Sequence, residues 1–206
     1  GDRVGFQVQG ASCGRRGSLA VLIAGLKHRF VLNSMLERVV RTNSDVRCSV
    51  DLFVSLTVNN VPSAGGDIMY GDSSFTGLSG DELRTYIAQR VSSAGGRLCF
   101  FESRPHAEGI GTLPAKVNQN LLWQYSPYSK HPREQRIGRA QLRRFWAVEG
   151  LWQRVPVAER QRGKPYDFVL WTREDAHWIG NLPLHWFASD SNSTNTLYSR
   201  ACNEYG

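Results

Sequence analysis

The chain lacks any uninterrupted apolar stretch near the roughly 18 residues that a membrane-crossing helix requires. Its opening, Gly1-Asp2-Arg3-Val4, lacks the positive-then-apolar layout of a signal peptide. The expectation is a chain that is soluble as given, with no membrane span. A start at Gly rather than Met, and an end at Asn203-Glu204-Tyr205-Gly206 without a closing element, suggest a piece of a longer protein. Localisation therefore stays open. A secretory-pathway lumen applies only if the parent protein carries an N-terminal anchor that has been removed.

Cysteine is scarce. Cys13, Cys48, Cys99 and Cys202 are scattered without C-x-x-C spacing, which argues against a zinc site or a dithiol redox motif and favours free buried thiols. His106, His131 and His177 show no H-E-x-x-H spacing and read as surface or packing histidines. Helix-turn-helix, zinc-finger and RNP patterns are missing as well. No internal repeat, low-complexity tract or linker divides the chain. Asn192-Ser193-Thr194 is a formal glycosylation sequon that matters only if the chain is secreted.

What is present suits one globular domain. At 206 residues a chain can bury roughly 70% of its unfolded surface, so its core needs no covalent staples. The net charge of +7 favours anionic partners, and nucleic acid has to be weighed first. The arginines, however, concentrate between Arg133 and Arg162, where interleaved apolar residues suggest a solvated helix face. A phosphate-bearing small ligand would use only a few of them, and nucleic acid is not the expected partner.

Residues 1–18 form an irregular lead-in by this reading, and residues 19–206 the domain. Leu19 to Gly25 is a continuous apolar run closed by Gly, the pattern of a strand buried on both faces. Met35, Leu36, Val39 and Val40 then recur at helical spacing, and Val50 to Val58 is a second apolar strand. A long Gly-rich loop from Ala64 to Gly80 leads to a helix start at Ser79-Gly80-Asp81-Glu82. Leu83, Tyr86, Ile87 and Val91 share one face of that helix before Gly95-Gly96 stops it, and Arg97 to Glu102 is a third strand. Residues 103–132 read as loop. From Glu134 to about Val155, the positions Ile137, Phe145, Val148, Trp152 and Val155 predict one amphipathic helix, and the strand Asp167 to Thr172 follows. The fold class is α/β: a Rossmann-like, mainly parallel sheet flanked by helices, in a single domain.

Ligands of open α/β sheets bind beyond the carboxyl ends of the strands. Three such ends can be located: Gly25, the stretch Thr57 to Asn60, and Arg173-Glu174-Asp175. At the third, two adjacent acids on a strand end could hold a hard divalent cation through oxygen, and the arginine could neutralise phosphate with its planar fork. The same residues can be read as a surface turn with an internal ion pair. Gly25 could let a ligand approach the backbone, Arg29 could reach a phosphate, and Asn59 and Asn60 could meet a base or ribose, although turn chemistry accounts for Gly25 and both asparagines equally well. Arg139, Gln141 and Arg144 share part of a helix face.

Tyr166-Asp167-Phe168-Val169-Leu170-Trp171-Thr172-Arg173-Glu174-Asp175-Ala176-His177-Trp178 resembles the Tyr-Asp-x-Val-x-x-x-Arg-x-Asp-x-x-Trp pattern of glycosyltransferase-like domains of the type A (GT-A) fold. The segments Leu19 to Phe30 and Val50 to Leu56 look like the opening of those domains, and Cys202 to Gly206 like the start of their Cys-x-x-x-Gly-Gly segment. The resemblance implies a domain truncated at its C-terminal end that takes a nucleotide-sugar donor and passes the sugar to a glycan, protein or small-molecule acceptor. It also implies Mn or Mg held by Asp175 and Glu174, with Arg173 beside them as the third catalytic residue and Gly25, Arg29, Asn59, Asn60 and Arg144 on the donor. Many type A enzymes carry Asp-x-Asp at this place, whereas Arg173 occupies the first position here. That substitution puts metal dependence in question and leaves a non-catalytic nucleotide-sugar or glycan binding module as the alternative, with a nucleic-acid-binding protein last.

Overall fold

The computed structural model describes residues 17–46, 48–58, 73–75, 77–105, 144–184 and 187. Strand β1, Ser18–Leu26, consists almost entirely of apolar residues and is buried along most of its length. A short 3-10 turn, Lys27–Arg29, leads into helix α1. That helix is continuous but uneven, running as α-helix over Asn33–Met35, π-helix over Leu36–Arg41 and α-helix again over Thr42–Ser44. Strand β2, Ser49–Val58, repeats the apolar pattern of β1.

A 3-10 turn at Ser73–Phe75 precedes helix α2, Gly80–Ser93. Ser79 and Glu82 close the predicted start of α2 reciprocally: the Ser79 hydroxyl accepts from the Glu82 N–H, and the Glu82 carboxylate accepts from the Ser79 N–H. Leu83, Ile87 and Val91 face the core as expected, and strand β3, Arg97–Pro105, follows. The remaining part of the expected 103–132 loop, and most of the Gly-rich loop, lie outside the described residues.

Where it is described, the helix expected over 134–155 is α3 at residues 144–152, and a further helix that was not expected, α4 at Val155–Arg162, begins where it was expected to end. Gln153 and Arg154 form a turn between them, and Pro156 sits in the first turn of α4, where its missing N–H breaks no helical bond. The buried face differs from the expectation in part: Val148 and Val155 pack on the core as expected. Leu151, Val155 and Ala158 enter the core, whereas Phe145 and Trp152 are about half exposed. Gly163 ends α4 with φ 73°, and strand β4 spans Phe168–Arg173.

Among the described residues all strand pairs are parallel, in the order β3-β2-β1-β4. The α/β class and the single domain therefore hold as predicted. One face of the sheet, with Leu19, Val21, Ile23, Val50, Leu52, Val54 and Leu56, packs against α1 and α2. The other, with Ala20, Leu22, Ala24 and Phe53, packs against α3 and α4. No helix among the described residues is long and apolar enough to cross a membrane.

Candidate functional site

In this strand order the chain winds outward from β1 through β2 to β3 and then returns to place β4 on the other side of β1. In open α/β sheets ligands bind beyond the carboxyl ends of the strands at such a reversal, which here are those of β1 and β4. Ala24 pairs with Arg173 at the last rung of the β1–β4 ladder, so the residues that follow each strand meet there.

Gly25, Arg29, Arg173, Glu174 and Asp175, all singled out from sequence, are brought together at this point. Arg29, from the turn after β1, forms an ion pair with Asp175 across 146 residues of chain. Arg173 grips the same carboxylate with two hydrogen bonds, 2.8 Å from Nε to Oδ1 and 2.7 Å from Nη2 to Oδ2. Burial raises the Asp175 pKa, but the hydrogen bonds and charge of Arg173, with the charge of Arg29, outweigh it and hold the group below the usual Asp value.

Glu174 has the opposite surroundings. Its side chain folds over Gly25 and is 1% exposed, yet neither carboxylate oxygen has a hydrogen-bond partner. A side chain on Gly25 would collide with it, because a Cβ there would stand 2.0 Å from Glu174 Cδ. Backbone bonds fix the position of Glu174, since the Val31 N–H donates to its carbonyl at 2.8 Å.

The segment after β4 is pinned along α1. The Trp178 N–H donates to the Ser34 hydroxyl, and the Leu182 N–H donates to the Arg38 carbonyl inside the π-helical turn. Asn43, fully buried, donates to the Leu182 carbonyl at 2.8 Å and accepts from the Leu184 N–H at 2.9 Å. Ser34 and Asn43 were missed by sequence reasoning. The available signal was a short amide at the end of a helix whose neighbours on that face, Val39 and Val40, are apolar.

The first half of the Tyr166 to Trp178 motif has a structural task. The Tyr166 hydroxyl donates to Asp51 Oδ2 at 2.6 Å, and the Ser18 hydroxyl donates to Asp167 Oδ2 at 2.7 Å, latching the amino end of β4 onto β2 and β1. Asp51 also takes a bidentate pair from Arg97, at 3.0 and 2.8 Å. Burial alone would raise Asp51, but the bonds from Arg97 and Tyr166 hold it below the usual value. This network lies at the amino ends of the strands, the end of the sheet opposite Arg29 and Asp175. The Cys99 thiol beside it is pushed up to about 11, first by burial and then by the Asp51 charge, so it is unreactive at neutral pH.

Other expected site residues fall elsewhere. Arg144 opens α3, on the face of the sheet away from α1. His177 is exposed after β4, and Asn59, Asn60, Arg139 and Gln141 lie outside the described residues. No protein-family model, curated protein or solved structure matches the chain.

A divalent metal would need two or more oxygen ligands facing one point. Both Asp175 oxygens are taken by guanidinium groups, and no group of three His, Cys, Asp or Glu side chains suited to a metal exists among the described residues. Asp175 in this arrangement does not fit the metal-ligand role that the resemblance implies. What the arrangement offers chemically is a pair of guanidinium groups, each able to turn toward phosphate oxygens.

Proposed function

We propose that the site at the carboxyl ends of β1 and β4 binds the diphosphate of a nucleotide sugar, and that the domain passes the sugar to a hydroxyl of a glycan, protein or small molecule. One observation carries this reading: Arg29, from the turn after β1, and Arg173, from the end of β4, converge on a single anion, Asp175, at the reversal of the strand order. A nucleoside diphosphate leaving group accumulates negative charge as the glycosidic bond breaks. Fixed positive groups at that place lower the barrier because they need no reorganisation during the reaction. The resemblance of residues 166–178 to type A glycosyltransferase-like domains supports the same assignment. In this reading Asp175 is the internal anion that the diphosphate displaces from the two arginines, and the guanidinium groups supply the charge that a metal supplies in Asp-x-Asp enzymes.

A melting-temperature screen of nucleoside diphosphates and their sugars, with and without manganese, tests the reading, since a ligand that binds only the folded state raises its stability. Stabilisation by a nucleotide sugar without manganese is the expected result. No response to any of them, combined with tight and salt-resistant binding of duplex DNA or RNA, would reject it. The closed ion triad at Asp175 favours a second reading, a binding module without turnover. Nucleotide-sugar stabilisation with no hydrolysis or transfer, in the presence of a panel of acceptors, would select that reading.

A further inference from the structure

We infer that Glu174, rather than Asp175, is the carboxylate that contacts the ligand, accepting hydrogen bonds from a vicinal pair of hydroxyls. This inference rests on the nucleotide-sugar reading above and assigns which part of the ligand faces which residue. Buried polar groups in folded proteins nearly always have partners, and an ionised carboxylate offers about four acceptor positions. At Glu174 both oxygens are buried and neither is used. The two guanidinium groups at this place give their hydrogen bonds to Asp175 and none to Glu174. Burying such a group without partners opposes folding, so the place is suited to a ligand that brings the donors.

The sign of the charge determines which part of the ligand this is. A phosphate oxygen beside Glu174 would set anion against anion, so the diphosphate belongs to the two arginines and a donor-rich neutral group to Glu174. The two oxygens of a carboxylate accept from two adjacent hydroxyls, as the ribose or the transferred sugar presents them. Gly25 makes the arrangement sterically possible, since any side chain there would occupy the position of the Glu174 carboxyl group. With the group shielded from water, each hydrogen bond formed there is stronger than at the surface.

The experiment compares the full chain with Glu174→Gln for binding of inorganic pyrophosphate, UDP and GDP, and UDP-glucose and GDP-mannose, with manganese alone as a further probe. Pyrophosphate should bind both proteins within about twofold of each other, while a probe whose hydroxyls meet Glu174 should bind the variant about tenfold more weakly, the equivalent of one lost hydrogen bond to a charged group. Weakening for UDP or GDP identifies the ribose as the source, and weakening for the nucleotide sugars alone identifies the transferred sugar. Equal affinities of the two proteins for every probe, or a loss of binding confined to manganese, overturns the inference while leaving the nucleotide-sugar reading intact. If no probe binds the unaltered protein, both fall. A measurement without ligand adds a separate test: Glu174→Met removes the partnerless charge and should raise the melting temperature, whereas a lower one would make Glu174 a structural residue and overturn the inference.

Discussion

The carboxyl group of Glu174 lies over the Cα of Gly25, occupying the space that any side chain at position 25 would need. Gly25→Ala therefore moves Glu174 without changing its chemistry. The atom to be displaced is the end of a flexible side chain, so the fold should tolerate the change, with a stability loss of about 1–2 kcal/mol. Nucleotide-sugar affinity should drop together with that of Glu174→Gln. A Gly25→Ala protein that binds like the original would show that the contact has no part in ligand binding.

Asp175→Asn distinguishes an anion that holds two arginines in place from a metal ligand. With its charge gone, Arg29 and Arg173 are released from their ion pairs, and pyrophosphate should bind several-fold more tightly in isothermal titration. A metal ligand would behave oppositely, with manganese-dependent binding lost. Stability should fall by about 1–3 kcal/mol, because the side chain of Asp175 is 13% exposed and two guanidinium groups lose a shared partner.

Acid should destabilise the protein in a defined window. Asp51 and Asp175 both have folded-state pKa values below the ordinary Asp value of 3.8. A group with a lowered folded pKa contributes its stabilisation above the unfolded value and loses it as pH falls through the folded one. Denaturant midpoints should thus be insensitive to these two groups at neutral pH and decline from about pH 4 downward. In Asp51→Asn that decline should be shallower, from a starting stability about 3 kcal/mol lower, since Arg97 and Tyr166 lose their common acceptor. An unaltered acid profile in Asp51→Asn would mean that other carboxylates dominate.

The helix pair over the second face offers a packing test. Leu151 is 1% exposed and Trp152 is 55% exposed. Leu151→Ala should destabilise by about 2–5 kcal/mol, and Trp152→Ala by less than about 1 kcal/mol. Reversed magnitudes in urea melts would restore the face read from the sequence.

That face shows where sequence reasoning reached its limit. The strands were legible because Leu19 to Gly25 is apolar without interruption and Val50 to Val58 is mostly apolar, as a sheet covered on both sides requires. Helix α2 was legible through Ser79 and Glu82. The segment around Trp152 was not, because its apolar residues are sparse enough to fit one long helix, and the stop at Gln153-Arg154 was signalled only by Pro156. The composition of the candidate site, Gly25, Arg29 and Arg173 to Asp175, followed from strand ends and the motif. Its bonding could not follow from them. Arg29 and Asp175 are 146 positions apart, and the acid that is satisfied and the acid that is not stand next to each other in the chain. Only the folded arrangement distinguishes Asp175 from Glu174.

The position of β4 also bears on how the molecule is made. Strands β1, β2 and β3 follow one another closely, so they can pair while synthesis is still in progress. The partner on the other side of β1 emerges far later: the bond between Ser18 and Asp167 joins residues 149 apart, a span whose closure is slow compared with local pairing. Until then one edge of β1 is unpaired, an apolar surface open to other chains or to a chaperone. A ribosome-bound chain that has not yet produced β4 thus has a partial core but cannot yet form the ion pair between Arg29 and Asp175.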